Sequence, residues 1–141
     1  GVYSKNLVSL HCNCLKELGS EKALVVHGLD GLDEISLSDS TYINELKDSK
    51  IIEYTFDPRE FGYDLIKIED IKGGDPEYNA NCFNKMINGD YKKFQKIIEI
   101  NAGAAIYLSS LRKNLRESFE LAKKVIEEGI TKKFVNSLIN E

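Results

Sequence analysis

The pattern of apolar and polar residues divides the first part of the chain into a helix and a strand. Apolar side chains recur at helical spacing, which predicts a helix from Lys5 to Leu18. Ser4 is placed to begin this helix and Gly19 to end it, since these residue types are favoured at helix ends. The run Lys22–Val26 is apolar after its first residue and predicts a short strand buried on both faces. The apolar stripe of the helix is formed by Leu7, Val8, Leu10, Cys14, Leu15 and Leu18.

Two further strands are predicted where β-branched and aromatic residues are frequent, at Tyr42–Leu46 and Ile51–Phe56. The polar segment 47–50 between them is typical of a hairpin turn, so these strands are expected to pair with each other. The hairpin ends at Asp57. Because aspartate caps helices and proline suits their first position, one helical turn is predicted over Pro58–Phe61.

Four helices are predicted in the second half of the chain. The first has the clearest start, with Asp75 as its cap, and covers Pro76–Ile87. The others cover Tyr91–Ser109, Asn114–Glu128 and Thr131–Asn140. The apolar face predicted for the second of these helices is formed by Phe94, Ile97, Ile98, Ala102, Ala105 and Ile106.

These elements indicate an α/β fold in a single domain, residues 1–141. A helix, a short loop and a buried strand make half of an α/β unit, and the hairpin and the C-terminal run of helices follow it. Since a parallel sheet needs several buried strands and only Lys22–Val26 looks fully buried, we expect the sheet to be incomplete in this chain. The small residues 102–105 predict that another element approaches the second C-terminal helix closely.

Composition excludes several classes of protein. Lys and Arg are interleaved with Asp and Glu and the net charge is −4, so no nucleic-acid surface is expected. No apolar run approaches the roughly 20 residues of a membrane span. Cys12, Cys14 and Cys82 suit a reducing cytoplasm, where we expect the protein to reside. Cys12 and Cys14 also lie about 200° apart on a helix, so they are not expected to join His11 in a soft-metal site.

The chemistry of the chain is concentrated in the segment His27–Ser36, which follows the buried strand. It carries three carboxylates, Asp30, Asp33 and Glu34, on a glycine-containing turn. Oxygen ligands of this kind suit Mg²⁺ bound to a phosphorylated substrate. Neighbouring side chains of an extended segment point to opposite sides, so Asp33 and Glu34 are arranged to contact two ions, or one ion and its ordered waters. The alternative is a solvated acidic turn.

The other residues of this turn leave alternatives open. Asp30 lies between two glycines and is expected to form the turn by accepting hydrogen bonds from local N–H groups. Gly28 and Gly31 either let the backbone approach a ligand or supply a positive φ. His27 is either a general base or orienting donor, or it makes one structural hydrogen bond, which is the commoner case.

Four segments of the sequence resemble one enzyme family. They are GVYSKNL, in which Lys5 stands where proline is usual, HGLDGLDEIS, GGDPEYNA and NAGAAIYL. In this order and spacing they resemble segments of anthranilate phosphoribosyltransferase, and the resemblance implies that this chain is the C-terminal part of such an enzyme. The family's GTGGD and KHGNR motifs are not found in the chain.

The resemblance implies an activity, a cofactor and partners. The complete enzyme would transfer the phosphoribosyl group of phosphoribosyl pyrophosphate to anthranilate, a step of tryptophan biosynthesis. Asp33 and Glu34 match the family's Mg²⁺-binding pair. Since the substrate-binding motifs are upstream in the family, this chain is not expected to be active alone, and a homodimer would form through the family's N-terminal helical domain. No catalytic residue is expected within the chain itself.

Two other functions fit the sequence. A pyrimidine nucleoside phosphorylase-like enzyme shares the architecture, and phosphorolysis without Mg²⁺ would favour it. A non-catalytic, autonomous interaction domain would be favoured by a gene that encodes these residues alone.

Overall fold

The computed structural model describes residues 1–139 and divides the chain into two compact units. The first unit is Gly1–Leu65 and the second begins at Ile66. The α/β class is confirmed, with helices and one small sheet. Within residues 1–139, none of the helices combines the length and the hydropathy that a membrane span requires. The single domain expected for residues 1–141 stays a prediction.

The first unit contains an α-helix, a three-stranded sheet and the 3₁₀ turn Pro58–Phe61. Helix α1 covers Lys5–Glu17, and the strands are β1 (Ala23–Gly28), β2 (Thr41–Lys47) and β3 (Lys50–Phe56). The helix, the first strand and the hairpin therefore lie where the sequence places them. The sheet has the order β1-β2-β3.

The direction of pairing differs from the expected parallel sheet, because both strand pairs of the described chain are antiparallel. The loops that join β1 to β2 and β2 to β3 each enter the next strand at the same end of the sheet where the previous strand stopped. Neither loop contains the crossover helix that a parallel pair requires. Asp48 and Ser49 form the shorter connection with φ values of 50° and 59°, as the favoured two-residue hairpin turn demands.

Both faces of β1 are nonetheless covered. On one face Ala23 and Val25 are buried in a core shared with α1 and β2. On the other face Val26 is buried, as is Ile43 of β2 opposite it. This explains why the first four residues of β1, Ala23–Val26, are all apolar although the strand does not belong to a parallel sheet. The buried members of the first core are Val2, Val8, Cys12, Ala23, Val25 and Leu46.

The second unit is helical, with α2 (Pro76–Ile87), α3 (Lys92–Leu108), α4 (Leu115–Glu127) and α5 (Ile130–Ile139). These bounds agree with the predictions to within a residue or two, except that Asn140, the predicted end of the last helix, lies outside the described residues. A 3₁₀ turn over Ile68–Ile71 was not predicted.

The capping roles predicted for Asp75 and Asp57 are confirmed, whereas Ser4 occupies the N-cap position of α1 without a side-chain capping hydrogen bond. The Asp75 carboxylate accepts a hydrogen bond from Tyr78 N at 2.8 Å, so it occupies the N-terminus of α2 where an anion could otherwise bind. In the first unit, Asp57 Oδ1 accepts one from Arg59 N at 2.9 Å and begins the predicted 3₁₀ turn Pro58–Phe61.

The predicted apolar face of α3 is partly wrong. Ile97 is buried as expected, but Ala105 is exposed, whereas Gln95 and Glu99 are only 3% exposed. Gln95 Nε2 donates a hydrogen bond to Glu99 Oε1 at 2.7 Å, which pairs the two buried polar groups. The buried face of α3 is the one that α4 approaches, and the approach is closest at Gly103. The small residues 102–105 therefore allow the close approach that was predicted.

Gly103 sets the distance between α3 and α4. A Cβ at this position would lie 2.4 Å from Phe119 Cδ1 and 3.0 Å from Phe119 Cα, an atom of the α4 backbone. We expect Gly103→Leu to destabilise the second unit by a net amount of about 1–2 kcal/mol, because overpacking costs about 1–3 kcal/mol and helix propensity offsets at most about 1 kcal/mol. Chemical denaturation measures this, with Ala105→Leu on the exposed face as control. Equal stability of the two variants would contradict the close contact.

Glu99→Gln is expected to stabilise the protein at neutral pH. Burial raises the pKa of the Glu99 carboxyl, although the hydrogen bond from Gln95 and the charge of Lys123 oppose the shift. A pKa raised in the folded state gives stability that is present below the ordinary glutamate pKa and is lost as pH rises through the folded value. Thermal melting should therefore favour Glu99→Gln at neutral pH and not at about pH 3, below that ordinary value. Glu120→Gln, at an exposed position, is the control, and a lower melting temperature of Glu99→Gln at neutral pH would refute the expectation.

Candidate functional site

The loop between β1 and β2, residues 29–40, contains the predicted site. Its two ends are held together because Gly28 and Thr41 are partners in the ladder of β1 and β2. Three backbone hydrogen bonds fold the first part of the loop: Gly28 N to Leu32 O at 2.7 Å, Leu29 N to Ser40 O at 2.8 Å, and Gly31 N to Gly28 O at 2.9 Å. The loop is thus a closed structure at one end of the sheet.

The structure places Asp33 and Glu34 next to each other on this loop, both exposed. The residues that follow them are buried, with Ile35 at 1% and Leu37 at 0% exposure. The backbone of Asp33 is also closely packed, since a Cβ at Gly1 would lie 1.6 Å from Asp33 O. The two carboxylates are therefore presented to solvent from a backbone that is anchored on both sides.

Asp30 has the local role predicted for it. Its Oδ1 accepts a hydrogen bond from Leu32 N at 3.1 Å, and its Oδ2 accepts from Ser36 Oγ at 2.5 Å and from Ser38 Oγ. Partial burial favours the neutral acid, but these hydrogen bonds outweigh it and lower the pKa of the Asp30 carboxyl below its ordinary value. Asp30 therefore stays ionised with its oxygens occupied within the loop.

The two glycines of the turn serve different purposes. Gly31 has a φ of +100°, and a Cβ there would meet nothing within 4 Å, so it supplies the positive φ that the turn needs. At Gly28 a Cβ would lie 2.4 Å from Asp30 Oδ1 and 3.2 Å from Ser36 Cβ. Gly28 therefore leaves space for the Asp30 carboxylate.

His27 makes a structural hydrogen bond. Its Nδ1 lies 3.0 Å from Val2 O, and because a carbonyl only accepts, Nδ1 carries the proton. Val2 N donates in turn to Val26 O at 2.9 Å. The two bonds fasten the start of the chain to the end of β1, beside the acidic loop, as the commoner alternative for His27 predicted.

The donor set of the loop suits one kind of metal. Among residues 1–139 no three His, Cys, Asp or Glu side chains come together as a metal-binding group. Asp33 and Glu34 offer two carboxylates, and Mg²⁺ takes one or two carboxylates from a protein when substrate phosphate oxygens and waters complete its shell. His11 and the cysteines take no part in such a group, and the cysteines of the described chain are all free thiols.

Ser36 and Ser38 were not identified from the sequence. Both donate to Asp30, and Ser36 is fully buried. The available signal is the presence of two serines within eight residues of Asp30. That pattern does not reveal which acceptor the hydroxyls meet, because the acceptor is brought to them only when the loop closes.

Comparison with known proteins identifies the family. The model of the family described as "Glycosyl transferase family, a/b domain" matches residues 1–132. A relative from Alkaliphilus metalliredigens (strain QYMF), named anthranilate phosphoribosyltransferase, is 41% identical over 139 residues, which is 99% of this chain and 41% of that protein. The chain thus spans about two-fifths of the length of the curated relatives it matches.

Solved structures agree. Anthranilate phosphoribosyltransferase from Thermus thermophilus superposes with a TM-score of 0.82 at 31% identity, covering 92% of this chain and 38% of that one. A variant of the enzyme from Saccharomyces cerevisiae, described with Mg bound, gives a TM-score of 0.78 at 25% identity with the same coverage. A yeast structure in complex with PRPP and Mg, at 22% identity and a TM-score of 0.79, supports the fold. The chain belongs to the glycosyl transferase family, and it matches that family's a/b domain.

Proposed function

We propose that the complete protein transfers the phosphoribosyl group of phosphoribosyl pyrophosphate to anthranilate, and that Asp33 and Glu34 hold Mg²⁺. The observation that carries the proposal is the exposed carboxylate pair on a loop fixed at both ends. It is supported by the relatives named anthranilate phosphoribosyltransferase and by the yeast relative with Mg bound. Placement in tryptophan biosynthesis and in the cytoplasm, the latter from the free cysteines, belongs to the same proposal.

The reaction needs little covalent chemistry from this chain. The amine nitrogen of anthranilate forms a bond to the anomeric carbon of the ribose, the bond from that carbon to the pyrophosphate oxygen breaks, and the amine loses a proton. When bound, Mg²⁺ would neutralise the charge that grows on the pyrophosphate. Asp33 and Glu34 would orient the ion on the leaving group, which is electrostatic positioning and requires no nucleophile of the protein.

The remaining length of the relatives is expected to supply the other half of the site. The phosphoribosyl-binding motif GTGGD is not present in this sequence. We therefore propose that residues 1–141 are inactive alone and act within a longer protein. Its dimerisation through a helical domain outside this chain is part of the same proposal.

Replacing Asp33 by Asn and Glu34 by Gln in the complete protein is expected to reduce Mg²⁺-dependent formation of phosphoribosylanthranilate. By analogy with the removal of one preorganised electrostatic contact, the loss should be about 10²–10³-fold in kcat. A fluorescence assay at several Mg²⁺ concentrations measures it, and Asp39→Asn, which removes an exposed carboxylate of the same loop, is the matched control.

Three results would count against this function. One is unchanged activity in the folded double variant, and another is an equal loss in Asp39→Asn. The third is a folded wild-type protein that cleaves pyrimidine nucleosides with phosphate in the absence of Mg²⁺, which would favour the phosphorylase. A folded complete protein with neither activity would favour a non-catalytic interaction domain.

A further inference from the structure

Asp30 connects the two sides of the acidic pair. It precedes Asp33 and Glu34 in the chain, whereas the hydroxyl groups that it binds, those of Ser36 and Ser38, follow them. These hydrogen bonds close residues 30–38 into a ring that contains the pair. Among the carboxylates of residues 29–40 in the described structure, only that of Asp30 has hydrogen bonds to residues that follow the pair as well as a position before it.

The ring is joined to the sheet. Ser36 N donates to Thr41 Oγ1 at 2.9 Å, and both Ser36 and Thr41 have no exposed surface. Ser38 N donates to Ser36 Oγ at 2.9 Å. Since Thr41 is the first residue of β2, the hydrogen bonds run from Asp30 through buried serine to a strand that the core holds in place.

Gly28 shows that the fit is tight. The Asp30 carboxylate occupies the space where a Cβ of residue 28 would be, so the turn, the carboxylate and the serine are packed against one another. A carboxylate in this position accepts charge-assisted hydrogen bonds, which are shorter and stronger than neutral ones. Loss of the negative charge would weaken every bond that closes the ring.

We propose that Asp30 is a positioning residue, which fixes the loop so that Asp33 and Glu34 are presented to a divalent cation in one arrangement. Asp30 does not contact the ion, because its oxygens are taken by Leu32 N and the two serines. This role rests on the proposed function. Mg²⁺ demands near-ideal octahedral geometry, so a loop that holds its ligands poorly binds the ion less well. Groups that hold ligands in this way typically account for about 10–100-fold in metal affinity.

The test uses Asp30→Asn in the complete protein. Hydrogen exchange should become at least about tenfold faster at the amides of 31–35, because the ring no longer holds them, and stay unchanged in β1 and β2. The affinity for Mn²⁺ with inorganic pyrophosphate, measured by electron paramagnetic resonance, should fall about 10–100-fold. Ser38→Ala removes one bond of the ring and should show both effects to a smaller degree.

Asp39→Asn is the matched control, since it removes the same charge from the same loop outside the ring. Unchanged hydrogen exchange at the amides of 31–35 in Asp30→Asn would overturn the positioning role, whatever the measured Mn²⁺ affinity is. An equal loss of Mn²⁺ affinity in Asp39→Asn would overturn it too, because net charge alone would then explain the effect. If Asp30→Asn does not fold, Ser38→Ala decides by the same two readouts.

A different result would show that the proposed metal site is wrong. If the wild type and the double variant Asp33→Asn with Glu34→Gln bind Mn²⁺ with the same affinity, the two carboxylates do not form the metal site. Faster hydrogen exchange in Asp30→Asn would still show that Asp30 fixes the loop. The positioning role toward a cation would then be wrong, and a purely structural role would remain.

Discussion

The pairing of Gly28 with Thr41 at the end of the β1–β2 ladder is the constraint on which the site depends. It fixes both ends of residues 29–40 at one rung of the sheet, so the loop has to fold back on itself. The loop does so by burying Ile35 and Leu37, while the hydroxyls of Ser36 and Ser38 donate to Asp30. Asp33 and Glu34 remain exposed between the half-buried Leu32 and the buried Ile35.

Elements marked by local signals could be predicted from the sequence. Asp75 followed by proline caps α2 as predicted, because capping depends only on residues within one turn. The face of α3 could not be predicted in the same way. Gln95 and Glu99 are buried because α4 approaches at Gly103, and this choice depends on a partner helix that periodicity does not describe.

The same distinction applies to the sheet and to the site. The strand β1 was predicted from its apolar residues, but its antiparallel direction depends on where the chain returns, which a run of apolar residues leaves open. Asp33 and Glu34 could be selected from residue type and from family resemblance. The ring that holds them could not, because Ser36 and Ser38 become partners of Asp30 only after the loop has closed.

The central claim is that a fixed loop presents two carboxylates to a divalent cation, and paramagnetic broadening tests it directly. Mn²⁺ would be added with inorganic pyrophosphate to the isotope-labelled complete protein, and amide signals would be followed. We predict that the amides of 32–35 broaden first and that Asp33→Asn with Glu34→Gln removes the effect. Broadening centred on another part of the chain, or unchanged in the double variant, would contradict it.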